Sequence, residues 1–75
     1  MVQLIRSNSA INMHRFYALH LAPTLFGEWA LIAEWSRIGS PGRMQEQIFC
    51  TEQSAAVALM KRLRIRTRRG YIRVS

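Results

Sequence analysis

Glu28-Trp29-Ala30-Leu31-Ile32-Ala33-Glu34-Trp35-Ser36-Arg37-Ile38 is the segment on which the fold turns. In an extended strand, residues two apart point to the same face. Trp29, Leu31, Ala33, Trp35 and Arg37 then share one side, and Ala30, Ile32, Glu34, Ser36 and Ile38 share the other. Both sides carry apolar residues, so alternation leaves open which one meets the core. A bulge near Glu34 would also exchange the sides midway. Alternation does establish a strand ending in a flat indole and a planar cation two residues apart. Gly39-Ser40-Pro41-Gly42 follows as a turn, glycine tolerating positive φ and proline fixing φ near about −65°.

Working outward, Arg43 to Cys50 returns as a strand, with Met44, Glu46, Ile48 and Cys50 opposite Gln45, Gln47 and Phe49. Arg15 to Leu21 also alternates, Tyr17, Leu19 and Leu21 against Phe16, Ala18 and His20. Pro23 and Gly27 mark its connection to the central strand. Val2 to Arg6 reads as a short first strand, with Ser7-Asn8-Ser9 as a turn. The period changes at Thr51, a good N-cap, and Glu52 suits the positive end of a helix dipole. Ala55, Ala56, Leu59, Met60 and Leu63 form an apolar stripe at helical spacing, opposite Lys61, Arg64 and Arg68. Arg66 falls back into that stripe, so the regular helix is expected to stop or fray there, with Gly70 as the stop residue. Tyr71 to Val74 adds a short extended edge or packs its ring on the sheet. The predicted fold is α+β: a small antiparallel sheet of three to four strands with one C-terminal helix packed on one face.

The 75 residues carry eleven basic side chains, ten of them arginine, against four acidic ones, for a net charge of +7. Such a field attracts polyanions, and seven of the basic residues lie between Lys61 and Arg73. The length is that of one domain, residues 1–75, with no room for a separate catalytic unit. Cys50 is the single cysteine, which excludes an intrachain disulfide and suits a reducing compartment. No secretory h-region or bilayer-length apolar run is visible, so a cytoplasmic protein without a membrane partner is expected.

An ordered set of residues resembles the WGR domain family. It comprises Phe16-Tyr17, Gly27 and Trp29, Trp35-x-Arg37-Ile38-Gly39, Gly42, Phe49, the alanine-bearing helix and Arg69-Gly70-Tyr71, so it covers about residues 15–71. The match looks like the small stand-alone bacterial version of a module that helps poly(ADP-ribose) polymerases grip broken DNA. The resemblance implies an antiparallel sheet packed on a helix and DNA-end binding. In the polymerase relatives the motif tryptophan packs on the sugar of a terminal nucleotide, and the arginine helps hold the strand and neighbouring domains. Trp35 and Arg37 are the corresponding residues. The family's central glycine is Ser36 here: costly by about 1 kcal/mol if positive φ is needed, harmless if the residue is extended.

The expected function is a non-catalytic nucleic-acid-binding module, with DNA favoured, using Trp35, Arg37, Arg43, Lys61, Arg64, Arg68 and Arg69. Trp35 is expected to be exposed and Trp29 to pack, although two core indoles on one side is the competing reading. Lys61, Arg62, Arg64, Arg66, Arg68, Arg69 and Arg73 surround the helix end, so one duplex cannot touch all of them. The alternative is a protein-interaction module, suggested by the uncovered sheet face and free strand edges, with the face around Trp35 docking a partner or a second copy. His14, His20 and Cys50 lack the paired spacing of a zinc site, and Cys50 is expected to be a small packing residue. No metal, cofactor, catalytic residue or small-molecule substrate is expected.

Overall fold

Trp29–Arg37 is a central strand paired on both edges. The computed structural model describes residues 1–8, 10, 13–37 and 39–75. Its elements are β1 (Val2–Asn8), β2 (Met13–Pro23), β3 (Trp29–Arg37), β4 (Arg43–Phe49), α1 (Glu52–Arg68) and β5 (Ile72–Arg73). The strands form one antiparallel sheet in the order β4-β3-β2-β1-β5. Four strands meander in sequence. The helix then crosses the sheet, so that β5 adds to the free edge of β1.

The register of β3 is unbroken. It runs from Arg15↔Arg37 to Pro23↔Trp29 on one side and from Trp35↔Arg43 to Trp29↔Phe49 on the other. No bulge intervenes at Glu34, so both tryptophans share a face. That face is the covered one. Leu4, Tyr17, Leu19, Leu31, Ala33 and Tyr71 form its buried cluster, against which Leu59 and Leu63 of α1, Trp35 and Phe49 pack. The opposite, open face presents Ile5, Phe16, Ile32, Met44 and Ile48 by the same alternation.

The helix begins where Thr51 caps it, its hydroxyl accepting from the Ser54 amide at 3.1 Å. Its end is a Schellman closure. The Tyr71 amide donates to the Arg66 carbonyl and the Gly70 amide to the Thr67 carbonyl, both at 3.1 Å. Gly70 has φ +94°, a value only glycine adopts freely. This reversal carries Tyr71 into the core and leads into β5. The Gln3 amide donates to the Ser75 carbonyl and the Val74 amide to the Gln3 carbonyl, which extends that pairing.

Several expectations need correction. The sheet has five strands, not three to four, because the Tyr71–Val74 segment does pair. Ser7 and Asn8 continue β1 rather than turning, while Ser9 and Ile38 lie outside the described residues. The helix runs through Arg66 to Arg68. Met60, assigned to the apolar stripe, is exposed, and so is Cys50 at the end of β4. At the far end of the β2–β3 hairpin, the Thr24 hydroxyl accepts from the Phe26 and Glu28 amides, both at 3.2 Å. That brace holds Leu25 and Phe26 outward, 99% and 86% exposed. Among the described residues no helix is long and apolar enough to cross a membrane.

The small core makes stability sensitive to single truncations. Leu19→Ala is expected to cost about 2–5 kcal/mol, as much as a domain of this size has in total, roughly 3–5 kcal/mol. Its urea transition, followed by circular dichroism, should be largely lost. Thr51→Ala should keep a cooperative transition weakened by about 1 kcal/mol.

Candidate nucleic-acid interface

Alternation on three neighbouring strands brings together residues that are distant in sequence. Tyr17 lies opposite Leu4 on one side and Trp35 on the other, and Trp35 lies opposite Arg43. The next row toward the sheet end is Arg6, Arg15 and Arg37, directly opposite one another across β1, β2 and β3. With strands about 4.8 Å apart, the backbone positions of this row span roughly 10 Å. Like charges facing each other across strands weaken a sheet. Pairing therefore gives no reason for the row.

Tyr17 organises the aromatic part of the site. Its ring is 1% exposed. Trp35 stacks on it at 6.1 Å between centroids and 24° between planes. Tyr71 meets it edge-on, also at 6.1 Å. Arg66 reaches down from the last turns of α1, its guanidinium carbon 4.2 Å above the Tyr17 centroid and 5.8 Å from that of Tyr71. This cation–π contact is why a charged residue sits in the apolar stripe without breaking the helix. Stacking occupies the faces of the guanidinium, while its N–H donors radiate in the plane and stay available to an anion.

Two hollows flank Arg66. One, of about 270 Å³, is lined by Arg15, Phe16, Trp35, Ser36, Arg37, Arg66 and Tyr71. The other, of about 260 Å³, is lined by Tyr17, Arg62, Ile65, Arg66 and Arg69. Arg62 is anchored across the groove by donating from Nη1 to Gln45 Oε1 at 3.1 Å. The carboxylates lie elsewhere. Glu34 and Glu46 are on the open face by alternation, Glu28 precedes β3 at the hairpin end, and Glu52 opens the helix. The covered face around Trp35 is thus cationic, with Glu34 lining a hollow beside Trp35 and Arg43 at its edge.

Of the residues expected from the sequence, Trp35, Arg37 and Arg43 are brought together, and Arg69 borders the adjoining hollow. Trp35 is half-buried rather than free-standing, because Tyr17 takes part of its surface. Lys61, Arg64 and Arg68 lie apart from them, on the outer face of α1. Arg6, Arg15, Arg66, Tyr17 and Tyr71 were outside the expected set. Arg6, Arg15 and Tyr17 share strand parity with Trp35, a signal that needed the register to become a site, whereas Arg66 and Tyr71 arrive from the helix and the reversal after it. Ser36 is paired with Phe16 inside β3, so it occupies extended backbone and the harmless case applies. Gly42 approaches that strand closely, since a Cβ there would lie 3.3 Å from the Trp35 carbonyl oxygen. His14 Nδ1 is 3.3 Å from Ser7 Oγ. Among the described residues no three His, Cys, Asp or Glu side chains gather as a metal site would need.

An uncharacterised protein of Sinorhizobium fredii, y4dW, is 38% identical over 66 residues, which cover 88% of this chain and 32% of that protein. The chain therefore spans about a third of the length of this relative. No solved structure matches. The model of the WGR domain matches residues 1–75, from the first strand through the Trp35-x-Arg37 pair to the last, and the chain belongs to the WGR domain family.

Proposed function

We propose that this chain is a non-catalytic nucleic-acid-binding module that grips the DNA backbone, and preferentially its ends, with the covered sheet face beyond the helix C-terminus. The observation that carries the reading is the Arg6–Arg15–Arg37 row beside the Tyr17–Trp35 stack and Arg66. WGR domains are known as nucleic-acid-binding modules, and an uncompensated row of guanidiniums suits phosphates. The exposed part of the Trp35 indole offers an apolar plane for a terminal sugar, the role implied by the family resemblance. Arg43 and Arg69 extend the cationic surface on either side. Lys61, Arg64 and Arg68 act only at long range on a ligand seated at Trp35. Phosphate contacts orient without reading bases, so the module is insensitive to sequence. Its place of action is the cytoplasm.

Titration with blunt, nicked and closed-circular duplexes tests this reading. Tighter binding to the blunt and nicked forms is expected. Equal affinity for all three removes end recognition, and no binding at low salt removes the proposal. If about four to six phosphates are neutralised, affinity should fall roughly 10²–10³-fold between 50 and 200 mM salt. Arg15→Ala should flatten the slope of log affinity against log salt by about 1.

Trp35 has a fluorescence signature of its own once Trp29 is replaced by phenylalanine. Acrylamide quenching should be intermediate between that of a free and a buried indole, and end-bearing DNA should reduce it. Quenching unchanged by saturating DNA would exclude Trp35 from the contact.

A further inference from the structure

The two surfaces left unused by this reading complement each other. On the open sheet face, alternation aligns Ala30, Ile32, Glu34 and Ser36 of β3 beside Met44, Glu46 and Ile48 of β4. Ile32 lies opposite Glu46 and Glu34 opposite Met44. Met44 is 64% and Ile48 45% exposed. Among the described residues, strand alternation assigns no lysine or arginine to this face; at its edge Arg43 lines a hollow with Phe16, Glu34, Ser36 and Met44. The face is apolar and acidic in a strongly basic protein.

The outer face of α1 has the opposite character. A groove of about 420 Å³ is lined by Gln53, Ala56, Val57, Met60, Lys61 and Arg64. Val57 and Met60 are about half exposed, and the adjacent cations sit three residues apart. Residues at that spacing have Cβ atoms about 5–6 Å apart. Glu34 and Glu46 are diagonal neighbours across β3 and β4, a separation of roughly 7 Å. Two carboxylates flanked by Ile32, Met44 and Ile48 thus match two cations flanked by Val57 and Met60.

We propose that the open sheet face binds the outer face of α1 of a second copy of this chain. The match excludes the symmetric alternative. Packing two open faces together would bury four glutamates with only Arg43 of each copy at the margin, a costly arrangement. The sheet-to-helix contact instead pairs both carboxylates and covers the exposed apolar residues of both faces. It is head-to-tail, so assembly closes as a ring or continues as a chain rather than stopping at a two-fold dimer. It also leaves Arg15, Trp35, Arg37 and Arg66 uncovered, so assembled copies keep their nucleic-acid sites.

Sedimentation velocity on the 75-residue chain, without nucleic acid and at low salt, is the test. The parent should self-associate with rising concentration and lose association as salt is raised. Glu34→Lys with Glu46→Lys should weaken association more than about tenfold, and so should Lys61→Glu with Arg64→Glu. An equimolar mixture of the two variants should recover it, because each then offers the charges the other lacks. Met60→Glu, at an exposed position, sets a like charge against Glu34 and Glu46 and reports on the same contact if a double charge reversal unfolds the chain. A parent that stays monomeric throughout overturns the proposal. So does a mixture of folded variants that stays monomeric, or a Met60→Glu chain that associates like the parent. Assembly that stops at a dimer and survives both reversals would assign the interface to another surface.

Discussion

The Tyr17 ring is the contact on which the rest of the molecule depends. It is the largest fully buried side chain, and it takes Trp35 on one side, Tyr71 against its edge and the Arg66 guanidinium above. Those three neighbours come from β3, the segment after the helix and the helix itself. One ring therefore ties the sheet to the helix C-terminus. An aromatic pair in such a stack is worth about 0.5–1.5 kcal/mol beyond its buried area, and a partly exposed cation–π contact about 0.5–1 kcal/mol. In a domain with so little total stability these are large contributions. They also set the position of the indole and the guanidinium beside the arginine row. Packing and the candidate binding surface share the same atoms.

Placing ten arginines on 75 residues is a problem of repulsion as much as of attraction. Strand alternation solves part of it by sorting charge between faces. Arg6, Arg15, Arg37 and Arg43 share the parity of Leu4, Tyr17 and Trp35, while Glu34 and Glu46 take the opposite parity. The helix dipole solves another part. Arg66, Arg68 and Arg69 cluster at the C-terminal end of α1, where partial negative charge favours cations, and the Arg6 side chain comes close to Gly70 there. Within the row across β1, β2 and β3, Arg15 and Arg37 have no such compensation. Like charges facing each other across strands cost stability in the free protein, a cost that the proposed polyanion would offset.

Much of this was legible in the chain, and the misses have physical causes. Thr51 and Gly70 announced the helix ends because capping and positive φ are local chemistry. The long strands announced themselves through alternation. The fifth strand was legible only as one of two readings of Tyr71 to Val74, because two residues of β5 are held by pairing with β1 that no local pattern encodes. The covered face of β3 was ambiguous because its other face carries Ala30 and Ile32, themselves part of an apolar surface. Arg66 was misread as a helix breaker because a cation in an apolar stripe looks like an error until an aromatic ring lies beneath it. Arg6 and Arg15 join Arg37 only through cross-strand register, a long-range property. The family resemblance reached Trp35 and Arg37, and the register adds what surrounds them.

The helix has two unlike sides, and this determines what the domain can do at once. Its inner side and C-terminal end build the Tyr17 cluster and the walls of the cationic hollows. Its outer side has no part in the core, so Val57, Met60, Lys61 and Arg64 are not required there for folding. Solubility alone would favour more charge on that side and fewer large apolar residues. The sheet is likewise two-sided, and its open face keeps Ile48 and Met44 where polar residues would preserve the fold equally well. One helix cannot cover both faces of a five-stranded sheet. Among the described residues nothing else covers the apolar surface left over on the sheet and on the helix. Those surfaces differ in charge and lie away from the arginine row, so the proposed contact with a second copy and the proposed contact with a nucleic acid use different side chains.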